Sequence, residues 1–583
     1  MGFCLRPSNY AFLKKLRESK TASLKPCKYL KEDTKLRYYQ VIGCLHLLCL
    51  GRMILGDGPG LGKTIQAIAA YAFSLQKDPS LKILIVCPKS AMNQWREEFD
   101  KFTTGISVHV LSNTYAKRKD TGEYGSVEYF KKNNIPCVKL DGFEARKAQY
   151  DTIHEQVLIV GYYAIQEDYE FLITNRAPKF MFIMDEIQAI KNDDTVTWFG
   201  ANKVSSEASR VYGLSATIIK NRLEEAYNIY KVVVPGLFGG RTKFLQSFTK
   251  RKKMVLWQKG KKRYFNKIVG YTNLKEFRET IDPYFLIRRT REVADELPKL
   301  ISKKIMIEMS DDQEMLYKEA QSGDMYRRLL KARYFKMKEY LEQNKVPSEK
   351  DFEKFEILQK KYDESLTQDG LHKSKIAALS LCQMVANGPG WLKEEGISAK
   401  EGEFERLYEQ ELSAEKVIVF TRFKSGIHRL EKILDSLEYK HVKITGDDSG
   451  AERDIARKSF QDKEGDVNTI FITFAGSAAI NLQSANVILF YDTPWSYGDL
   501  YQTIGRAQRI GSVFEHILLI HMICRKTIDE HVIVILESKK QLITEVMGDI
   551  AEGAIDFKDE VLFKDSENDV DALYGSVFGK VLS

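Results

Sequence analysis

The sequence predicts an α/β protein of two lobes, each built on a doubly wound parallel sheet and carrying helical insertions. Three observations lead to this prediction. Short apolar runs alternate with helical periodicity in both halves of the chain, a glycine-rich loop ends at Lys63 and Thr64, and two arginines, Arg506 and Arg509, lie more than four hundred residues beyond it. The length of 583 residues also exceeds what one core supports and suits two domains.

The apolar runs are short and are followed by helical periodicity, as expected of buried parallel strands. In the first lobe they are Met53–Leu55, Ile83–Val86, Val157–Val160 and Phe182–Met184. In the second lobe they are Val417–Phe420, Thr469–Ile472 and Val487–Phe490. The same pattern occurs twice, which predicts two lobes of one architecture.

Two segments depart from this pattern. Residues 310–370 are highly charged and predict a long amphipathic helical excursion, which is either a brace that positions the lobes or a solvated insertion. The apolar residues at helical spacing in this segment are Leu330, Tyr334, Met337 and Leu341. Residues 112–156 form a polar insertion in the first lobe, of a kind that more often decorates a domain than forms its active site.

The predicted domain boundaries follow these changes. In chain order, we expect an N-terminal extension over 1–33, a first lobe over 34–234, a helical protrusion and linker over 235–305, a helical insertion of the second lobe over 306–395, the second lobe over 396–548 and an acidic tail over 549–583.

Charge and cysteine content restrict the class of protein. The net charge is +9, and residues 551–583 hold eight acidic and three basic side chains, so the rest of the chain carries about +14. This excess favours a polyanionic partner, although many basic proteins bind none. The eight cysteines are scattered, which predicts a reducing compartment and no structural metal. No apolar run approaches the roughly 18 residues of a membrane span, and the first residues do not resemble a signal peptide.

The segment Gly56-Asp57-Gly58-Pro59-Gly60-Leu61-Gly62-Lys63-Thr64 lies between a predicted strand and a predicted helix, as a phosphate-binding loop requires. Glycines let backbone N–H groups close on phosphates, and the helix N-terminus adds positive potential. Lys63 is expected to reach the outer phosphates and Thr64 to hold Mg²⁺. The strict pattern fails at its first position, which is Asp57.

Two acidic residues, Asp185 and Glu186, follow the predicted strand Phe182–Met184, at the end of the strand where open α/β sheets bind ligands. Asp185 is expected to hold Mg²⁺ through water, and Glu186 to orient or deprotonate the attacking water.

Far along the chain, Arg506 and Arg509 form a pair framed by glycines. Such a pair is what a second domain needs to neutralise charge on a transferring phosphoryl group.

Further motifs occur in a fixed order along the chain. Gly213-Leu214-Ser215-Ala216-Thr217 resembles the motif that links phosphate hydrolysis to lobe movement in superfamily-two helicases. Leu36-Arg37-Tyr38-Tyr39-Gln40 resembles their adenine-reading motif, in which the Gln40 amide can offer both a donor and an acceptor to a base edge.

Together the motifs resemble those of the Swi/Snf-related branch of helicase superfamily two, the DNA-dependent ATPases with two RecA-like lobes. Asp57 opening the phosphate loop is typical of the branch. Also typical are Cys87-Pro88-Lys89-Ser90 with Gln94-Trp95, Asp185-Glu186-Ile187-Gln188-Ala189-Ile190-Lys191-Asn192, Leu286-Ile287-Arg288-Arg289-Thr290 with Leu297-Pro298, Val419-Phe420-Thr421-Arg422-Phe423, Asn481-Leu482, Tyr491-Asp492 with Trp495, and Gln502 through Gly505-Arg506, Gln508-Arg509 to Ile510-Gly511. The matches run in order from residue 36 to about 548.

Several positions depart from the family pattern. Gln188 and Gln508 replace histidines, which keeps hydrogen-bonding capacity but alters the relay between the ATP site and DNA. Ser477 and Ala479 stand where glycines are common, and Ser215-Ala216-Thr217 is closer to generic helicases than to many remodellers. None of these changes removes a charged catalytic group.

The resemblance implies ATP and Mg²⁺ as cofactors and double-stranded or branched DNA as the partner. The residues it implies for nucleotide binding are Arg37, Gln40, Asp57, Gly58, Gly60, Leu61, Gly62, Lys63, Thr64 and Gln502. Those it implies for DNA contact are Lys89, Ser90 and Thr217 in the first lobe and Arg422, Thr445, Gly446 and Thr473 in the second. The clusters 250–253 and 259–263 either extend this track or are solvated charge. Trp95 and Trp495 are expected to pack rather than to stack on bases.

The implied activity is ATP-driven translocation on duplex DNA without obligatory strand separation. A strand-separating DNA or RNA helicase and a DNA-bound scaffold with a vestigial ATPase are the alternatives. The intact set Lys63, Asp185, Glu186, Arg506 and Arg509 argues against the scaffold, and the last motif argues against the helicase. We expect a cytoplasmic or nucleoid-associated protein of a bacterial or viral setting, or a nuclear one if the source is eukaryotic.

Overall fold

The computed structural model describes residues 7–18, 22–215, 218–219, 222–258, 261–288, 297–343, 347–366, 375–392, 398–462, 464–473, 480–509, 512–547, 561–562 and 577. The chain forms two compact units. The first lobe comprises Met1–Lys252, Gly270–Leu297 and Ile543–Val561, and the second lobe comprises Lys253–Val269, Pro298–Leu542 and Leu562–Ser583.

The first lobe is built on a seven-stranded sheet with the order β12-β1-β9-β8-β2-β7-β3, in which every pair of neighbours is parallel. The strands in this part of the chain are β1 (Arg52–Leu55), β2 (Lys82–Cys87), β3 (Val108–Val110), β4 (Thr114–Arg118), β5 (Tyr124–Gly125), β6 (Cys137–Asp141), β7 (Val157–Gly161), β8 (Phe180–Asp185), β9 (Arg210–Leu214), β10 (Thr249–Gln258), β11 (Lys261–Tyr271) and β12 (Phe285–Leu286). The central strands are buried along their length, because helices cover both faces of a parallel sheet.

The helices of the first lobe connect these strands. In chain order they are Pro7–Glu18, Tyr38–Leu50, Lys63–Lys77, Met92–Phe102, Val127–Lys132, Gly142–Tyr150, Tyr162–Glu167, Tyr169–Arg176, Val196–Glu207, Leu223–Val233, Arg241–Phe248 and Leu274–Ile281. The insertion predicted over 112–156 contains an antiparallel sheet of order β5-β4-β6. Arg146 anchors this insertion by donating to Asp168 and to Asn113 (3.0 Å).

The second lobe is built on a six-stranded parallel sheet of order β13-β18-β17-β14-β16-β15. Its strands are β13 (Lys299–Ile307), β14 (Val417–Phe420), β15 (Lys440–Ile444), β16 (Val467–Ile472), β17 (Val487–Phe490) and β18 (His516–Cys524), and a short strand, β19, covers Val561–Leu562. Its helices are Asp311–Ser322, Asp324–Gln343, Glu349–Ser365, Lys375–Asn387, Ala399–Gln410, Lys424–Ser436, Gly450–Gln461, Tyr497–Ala507 and Ile528–Met547.

The predicted fold class, two doubly wound parallel-sheet lobes with helical insertions, is confirmed. The predicted apolar runs all become sheet strands, extended by one or two residues at an end in several cases. The described part of the charged segment 310–370 is mainly helical, over Asp311–Ser322, Asp324–Gln343 and Glu349–Ser365. Tyr334 stacks on Phe355 and Tyr362 of the next helix, with ring centroids 5.4 and 5.5 Å apart.

The structure differs from the expected boundaries between 235 and 307. This segment contains the long strands β10 and β11 as well as helices, where the sequence predicted a helical protrusion. β12 also joins the first sheet and β13 the second, so sheet residues occur in the predicted linker. These strands escaped prediction because β12 has only two residues and most of β13 is exposed, so neither forms a buried apolar run.

We find no helix among the described residues that is long and apolar enough to cross a membrane.

Candidate nucleotide site and DNA-contacting edge

The phosphate loop of the first lobe joins the carboxyl end of β1 to the helix Lys63–Lys77. Gly60 and Gly62 have φ angles of 80° and 74°, in the left-handed region that glycine tolerates best. A Cβ atom at Gly62 would also lie 2.6 Å from the Gln40 side-chain nitrogen. Glycine is therefore needed at Gly62 for both the turn and the close contact, and the helix N-terminus that follows provides N–H groups for an anion.

Lys63 lies over the start of this loop, where its ammonium donates to the carbonyl oxygens of Asp57 (2.8 Å) and Gly58 (3.4 Å). Thr64 is the second residue of the helix and is partly exposed. The loop thus carries a lysine and a hydroxyl at its helical end, as a site for nucleotide phosphates requires.

Asp185 ends β8, two strands away from β1 in the same sheet, and its carboxylate accepts a hydrogen bond from Trp95 Nε1 (2.9 Å). Burial and the neighbouring Glu186 raise the pKa of Asp185 above its ordinary value, whereas Trp95 and the charge of Lys63 lower it. Trp95 is buried, so it packs and orients Asp185 rather than presenting a ring to a base.

The next acidic residue, Glu186, has a φ of 50°, which is unusual for a residue other than glycine. Gln188 Nε2 donates to the Glu186 carboxylate, and the Ser215 hydroxyl donates to Gln188 Oε1 (2.7 Å). Ser215 follows β9, which lies between β1 and β8. The amide of Gln188 therefore links the acidic motif to the Ser215 motif, as its two-sided hydrogen-bonding capacity allows.

The adenine-reading motif is tied to the phosphate loop. Gln40 Oε1 accepts from the backbone N–H of Arg37 (3.0 Å), and Gln40 Nε2 donates to the Leu61 carbonyl (3.3 Å). The expected nucleotide contacts of Arg37 and Gln40 stay predictions. The observed contacts show that Gln40 fixes the start of the helix Tyr38–Leu50 against the loop.

Asp57 takes a partner that the sequence did not suggest. Its buried carboxylate pairs with Arg288, whose Nε lies 2.9 Å from Asp57 Oδ1, and it also accepts from Gln66 Nε2 (3.0 Å). The side chain therefore faces the interior of the first lobe, whereas we expected it to contact the nucleotide.

The residues at this edge of the first sheet fit a magnesium–nucleotide ligand. A hydroxyl, Thr64, and a carboxylate, Asp185, are the hard oxygen donors that Mg²⁺ prefers. Lys89 and Ser90 follow β2 at the same edge, with Lys89 exposed. Thr217 lies outside the described residues.

In the second lobe, the four predicted DNA-contact residues follow three neighbouring strands. Arg422 follows β14, Thr473 follows β16, and Thr445 and Gly446 follow β15. The backbone N–H of Thr473 donates to the Ile444 carbonyl at the end of β15 (3.3 Å), so these residues share one edge of the sheet. Ser477 and Ala479 lie outside the described residues.

Arg422 is positioned by a buried carboxylate. Asp492 is fully buried and accepts from the Arg422 backbone N–H (2.9 Å) and the Thr421 hydroxyl (2.6 Å). The guanidinium of Arg422 stacks on Trp495, 3.5 Å from the ring centroid, and its Nη1 is buried without a hydrogen-bond partner among the described residues. Such a donor suits an anionic acceptor, while Trp495 packs as expected.

The donors of Thr445 are engaged within the second lobe. Its backbone N–H and hydroxyl both bond to Asp448, at 2.5 and 3.0 Å. Arg453 donates to the carbonyl oxygens of Thr445 (2.9 Å) and Gly446 (3.2 Å). These contacts hold the loop in one conformation, and the expected phosphate contacts of Thr445 and Gly446 stay predictions.

The arginine motif lies on and just after the helix Tyr497–Ala507, which also carries Gln502. Arg506 is largely buried, and Arg509 donates to the carbonyl oxygens of Gly505 (3.0 Å) and Ile480 (3.4 Å). Gln508 donates to the Pro298 carbonyl just before β13 (2.8 Å). Ile510 and Gly511, which complete the motif, lie outside the described residues.

Trp95, Arg288 and Asp492 contact candidate site residues, and sequence reasoning assigned none of them such a role. Each belongs to a motif that resembles the family, and that membership was the available signal. Their partners lie 70 to 231 residues away along the chain, so no local spacing could pair them.

Comparison with known proteins decides the family. The sequence profile of the SNF2-related domain matches residues 39–365, more than half of the chain, and that of the helicase conserved C-terminal domain matches residues 400–511. The chain belongs to the SNF2-related family. The resemblance drawn from the motifs is thereby confirmed.

The relatives of this SNF2-related protein come from bacteria and eukaryotes. An uncharacterized ATP-dependent helicase of Mycoplasma pneumoniae is 25% identical over 522 residues, covering 89% of this chain and 42% of that protein. A SWI/SNF-related regulator of chromatin, the subfamily A DEAD/H box 1 homolog of Caenorhabditis elegans, is 25% identical over 560 residues, covering 90% of this chain and 53% of that protein. The ATP-dependent helicase FUN30 of Saccharomyces cerevisiae is 23% identical over 566 residues, covering 89% of this chain and 47% of that protein.

The chain thus spans about half the length of the curated relatives it matches. Among solved structures, the Sulfolobus solfataricus SWI2/SNF2 ATPase core in complex with dsDNA has 21% identity and a TM-score of 0.36, covering 90% of this chain and 96% of that one.

Proposed function

We propose that this SNF2-related protein hydrolyses ATP in a DNA-dependent manner and uses the energy to move along double-stranded DNA. One observation carries the proposal: the first lobe assembles Lys63, Asp185, Glu186 and Ser215 at the carboxyl edges of β1, β8 and β9, which are consecutive neighbours in one sheet. Ligands of open α/β sheets bind at that edge. Family membership supports the same activity.

Each side chain of the first lobe has a distinct part in hydrolysis. The ammonium of Lys63, now bonded to the carbonyl oxygens of Asp57 and Gly58, neutralises charge on the outer phosphates. The Glu186 carboxylate orients the attacking water and accepts its proton, and Gln188 keeps that carboxylate in place. Thr64 and Asp185 would hold Mg²⁺, which when bound supplies charge neutralisation on the phosphate oxygens.

The second lobe contributes arginines and a DNA track in this proposal. Arg506 and Arg509 stabilise the charge that develops on the transferred phosphoryl group, as their motif implies. Arg422, with its buried unpaired Nη1, contacts a DNA phosphate. Backbone and phosphate contacts carry no sequence information, so a motor that uses them steps over every sequence.

The basic strands β10 and β11 extend the polyanion-binding surface. Residues 249–271 contain nine Lys or Arg and no Asp or Glu. Arg251, Lys252 and Lys253 are exposed, and the Nζ of Lys253 lies 4.7 Å from the centroid of the Tyr264 ring. A surface of one charge sign binds a polyanion by releasing its counterions.

A comparison of triplex displacement with duplex unwinding tests the proposed movement. With ATP, a translocase should displace the third strand of a triplex from duplex DNA and should not separate the two strands of an ordinary duplex. Lys63→Ala serves as the control without turnover. Strand separation of the duplex, or preferential stimulation of ATP turnover by RNA, would favour the helicase alternative, and no ATP turnover with any nucleic acid would favour the scaffold.

A further inference from the structure

Arg288 lies in a closely fitted socket behind the phosphate loop. The residue is 8% exposed, and its guanidinium donates to both carboxylate oxygens of Asp57, to Gln66 Oε1 (2.8 Å) and to the Tyr39 carbonyl. Its planar face lies 5.5 Å from the centroid of the Tyr39 ring. All three nitrogens of the fork therefore have acceptors, which is the arrangement that only arginine provides.

The acceptors of Arg288 belong to the nucleotide site. Asp57 opens the phosphate loop, and Gln66 Nε2 donates to the loop carbonyl oxygens of Leu61 (3.3 Å) and Gly62 (3.2 Å). The carbonyl orientation of a peptide fixes the orientation of the following N–H, because the peptide unit is planar. Arg288 thus holds, through Asp57 and Gln66, the peptides whose N–H groups would face the phosphates.

The helix Tyr38–Leu50 leaves space for this contact at one position. A Cβ atom on Gly43 would lie 1.7 Å from Gln66 Oε1 and 2.9 Å from Arg288 Nη2. The same helix carries Gln40, which donates to Leu61. The adenine-reading motif, the phosphate loop and Arg288 are therefore packed as one unit.

The segment that carries Arg288 is itself fastened to the first lobe. β12 pairs in parallel with β1 through Ile54 and Leu55, and the Gly56 N–H donates to the Leu286 carbonyl (2.7 Å). Arg17 of the N-terminal helix donates to Asp282 Oδ1 (2.8 Å) and to the Phe285 carbonyl (3.3 Å). Arg288 is consequently presented to Asp57 from a fixed strand.

We propose that Arg288 is a positioning residue for ATP binding, and that Asp57 serves the nucleotide through Arg288 and Gln66. This role rests on the proposed function, since it takes ATP as the ligand of the loop. It assigns Asp57, the residue that departs from the strict phosphate-loop pattern, to the socket behind the loop. A buried carboxylate that loses its charged, hydrogen-bonded partner is strongly destabilising.

The test compares Arg288→Lys with Arg52→Lys. Arg52 is a matched control because it is also buried, lies on β1, and donates to the Ser205 and Ala208 carbonyl oxygens at the opposite end of the strand. Lysine keeps the charge but loses the fork. Arg288→Lys should weaken binding of a fluorescent ATP analogue by about tenfold or more and raise KM for ATP, with DNA affinity unchanged. Arg52→Lys should lower the melting temperature to a similar degree without changing nucleotide affinity.

A second variant covers the case in which Arg288→Lys does not fold. In Arg288→Gln combined with Asp57→Asn, no buried charge is left unpaired, so folding should recover while nucleotide affinity stays about tenfold or more below wild type. If either variant folds and binds nucleotide within twofold of wild type, the role of Arg288 is overturned while the proposed function still stands. A wild-type protein that binds no nucleotide overturns the proposed function together with it.

Discussion

Gln188 stands where the family usually has a histidine, and its amide makes a hydrogen bond at each end. Its amide donates to Glu186 and accepts from Ser215, so it uses both of its ends. The sequence predicted that hydrogen-bonding capacity would be kept at this position. It could not predict the partners, because Ser215 lies 27 residues further along the chain and on a different strand end.

Substitution of Gln188 tests this relay. Gln188→Leu removes both hydrogen bonds and should lower ATP turnover by about tenfold or more while ATP binding stays near wild type, since the residue acts on Glu186 rather than on the phosphates. Gln188→His, the residue usual in the family, should retain most of the turnover. Steady-state kinetics and nucleotide titration of both variants decide the matter, and equal turnover in Gln188→Leu and wild type would contradict the relay.

Substitutions of Lys63 and Glu186 should have different effects on ATP binding and on ATP turnover. Lys63→Ala removes the charge that neutralises the phosphates and should weaken ATP binding as well as abolish turnover. Glu186→Gln keeps the shape of the side chain but loses the base, so it should bind ATP and stall. Nucleotide affinity and turnover are measured for each variant. Turnover near wild type in Glu186→Gln would remove Glu186 from the mechanism.

At the scale of elements, burial decided what could be predicted. β14 and β17 are buried along their whole length, so the apolar runs in the sequence located them. β10 and β11 are strongly basic and β13 is mostly exposed, so none of them carries the apolar signal of a strand. Their strand form depends on pairing with neighbours, which a single segment of sequence does not reveal.

The basic strands offer a prediction at this scale. Replacing Lys250, Arg251, Lys252 and Lys253 by Gln should weaken duplex DNA binding and lower the slope of log affinity against log salt by about 0.9 for each residue that contacts a phosphate. The control replaces four exposed lysines of the helical segment, Lys331, Lys336, Lys338 and Lys361. If both quadruple variants show the same salt slope, β10 and β11 carry solvated charge only.

Packing of the helix Lys424–Ser436 gives a prediction on stability. A Cβ atom on Gly426 would lie 2.2 Å from the Trp391 ring, which is itself stacked on Tyr491 with centroids 5.1 Å apart. Gly426→Ala should therefore destabilise the protein by about 1–3 kcal/mol through overpacking. Gly402→Ala, at an exposed helical position with open space around it, should instead stabilise by about 0.4–1 kcal/mol. Chemical denaturation of both variants measures the change in the free energy of unfolding. A change of the same sign in both variants would contradict the close packing of Gly426 against Trp391.

At the scale of the whole molecule, the order of the motifs predicted two α/β lobes and the SNF2-related family, and both are confirmed. The roles of individual residues were less accessible to the sequence. Asp57 pairs with Arg288, and the Thr445 hydroxyl donates to Asp448, which are partners that no motif indicated. A charged residue of a motif can therefore act by holding the loop of the site in place, without contacting the ligand itself.

The account depends most on Arg506 and Arg509, which we propose stabilise the charge on the transferred phosphoryl group during hydrolysis. The decisive measurement is ATP turnover of Arg509→Ala and Arg506→Ala across a range of duplex DNA concentrations, together with their ATP and DNA affinities. Arg525→Ala, at an exposed arginine of the second lobe, is the control.

An arginine supplied to a phosphoryl transition state is typically worth about 10³–10⁵ in rate, roughly 4–7 kcal/mol, whereas a surface arginine is worth little. We predict that both variants lose DNA-stimulated turnover at every DNA concentration, while ATP and DNA affinities stay within several-fold of wild type and Arg525→Ala turns over normally. Recovery of full turnover with excess DNA would instead show that the two arginines bind DNA, and it would contradict their role in hydrolysis.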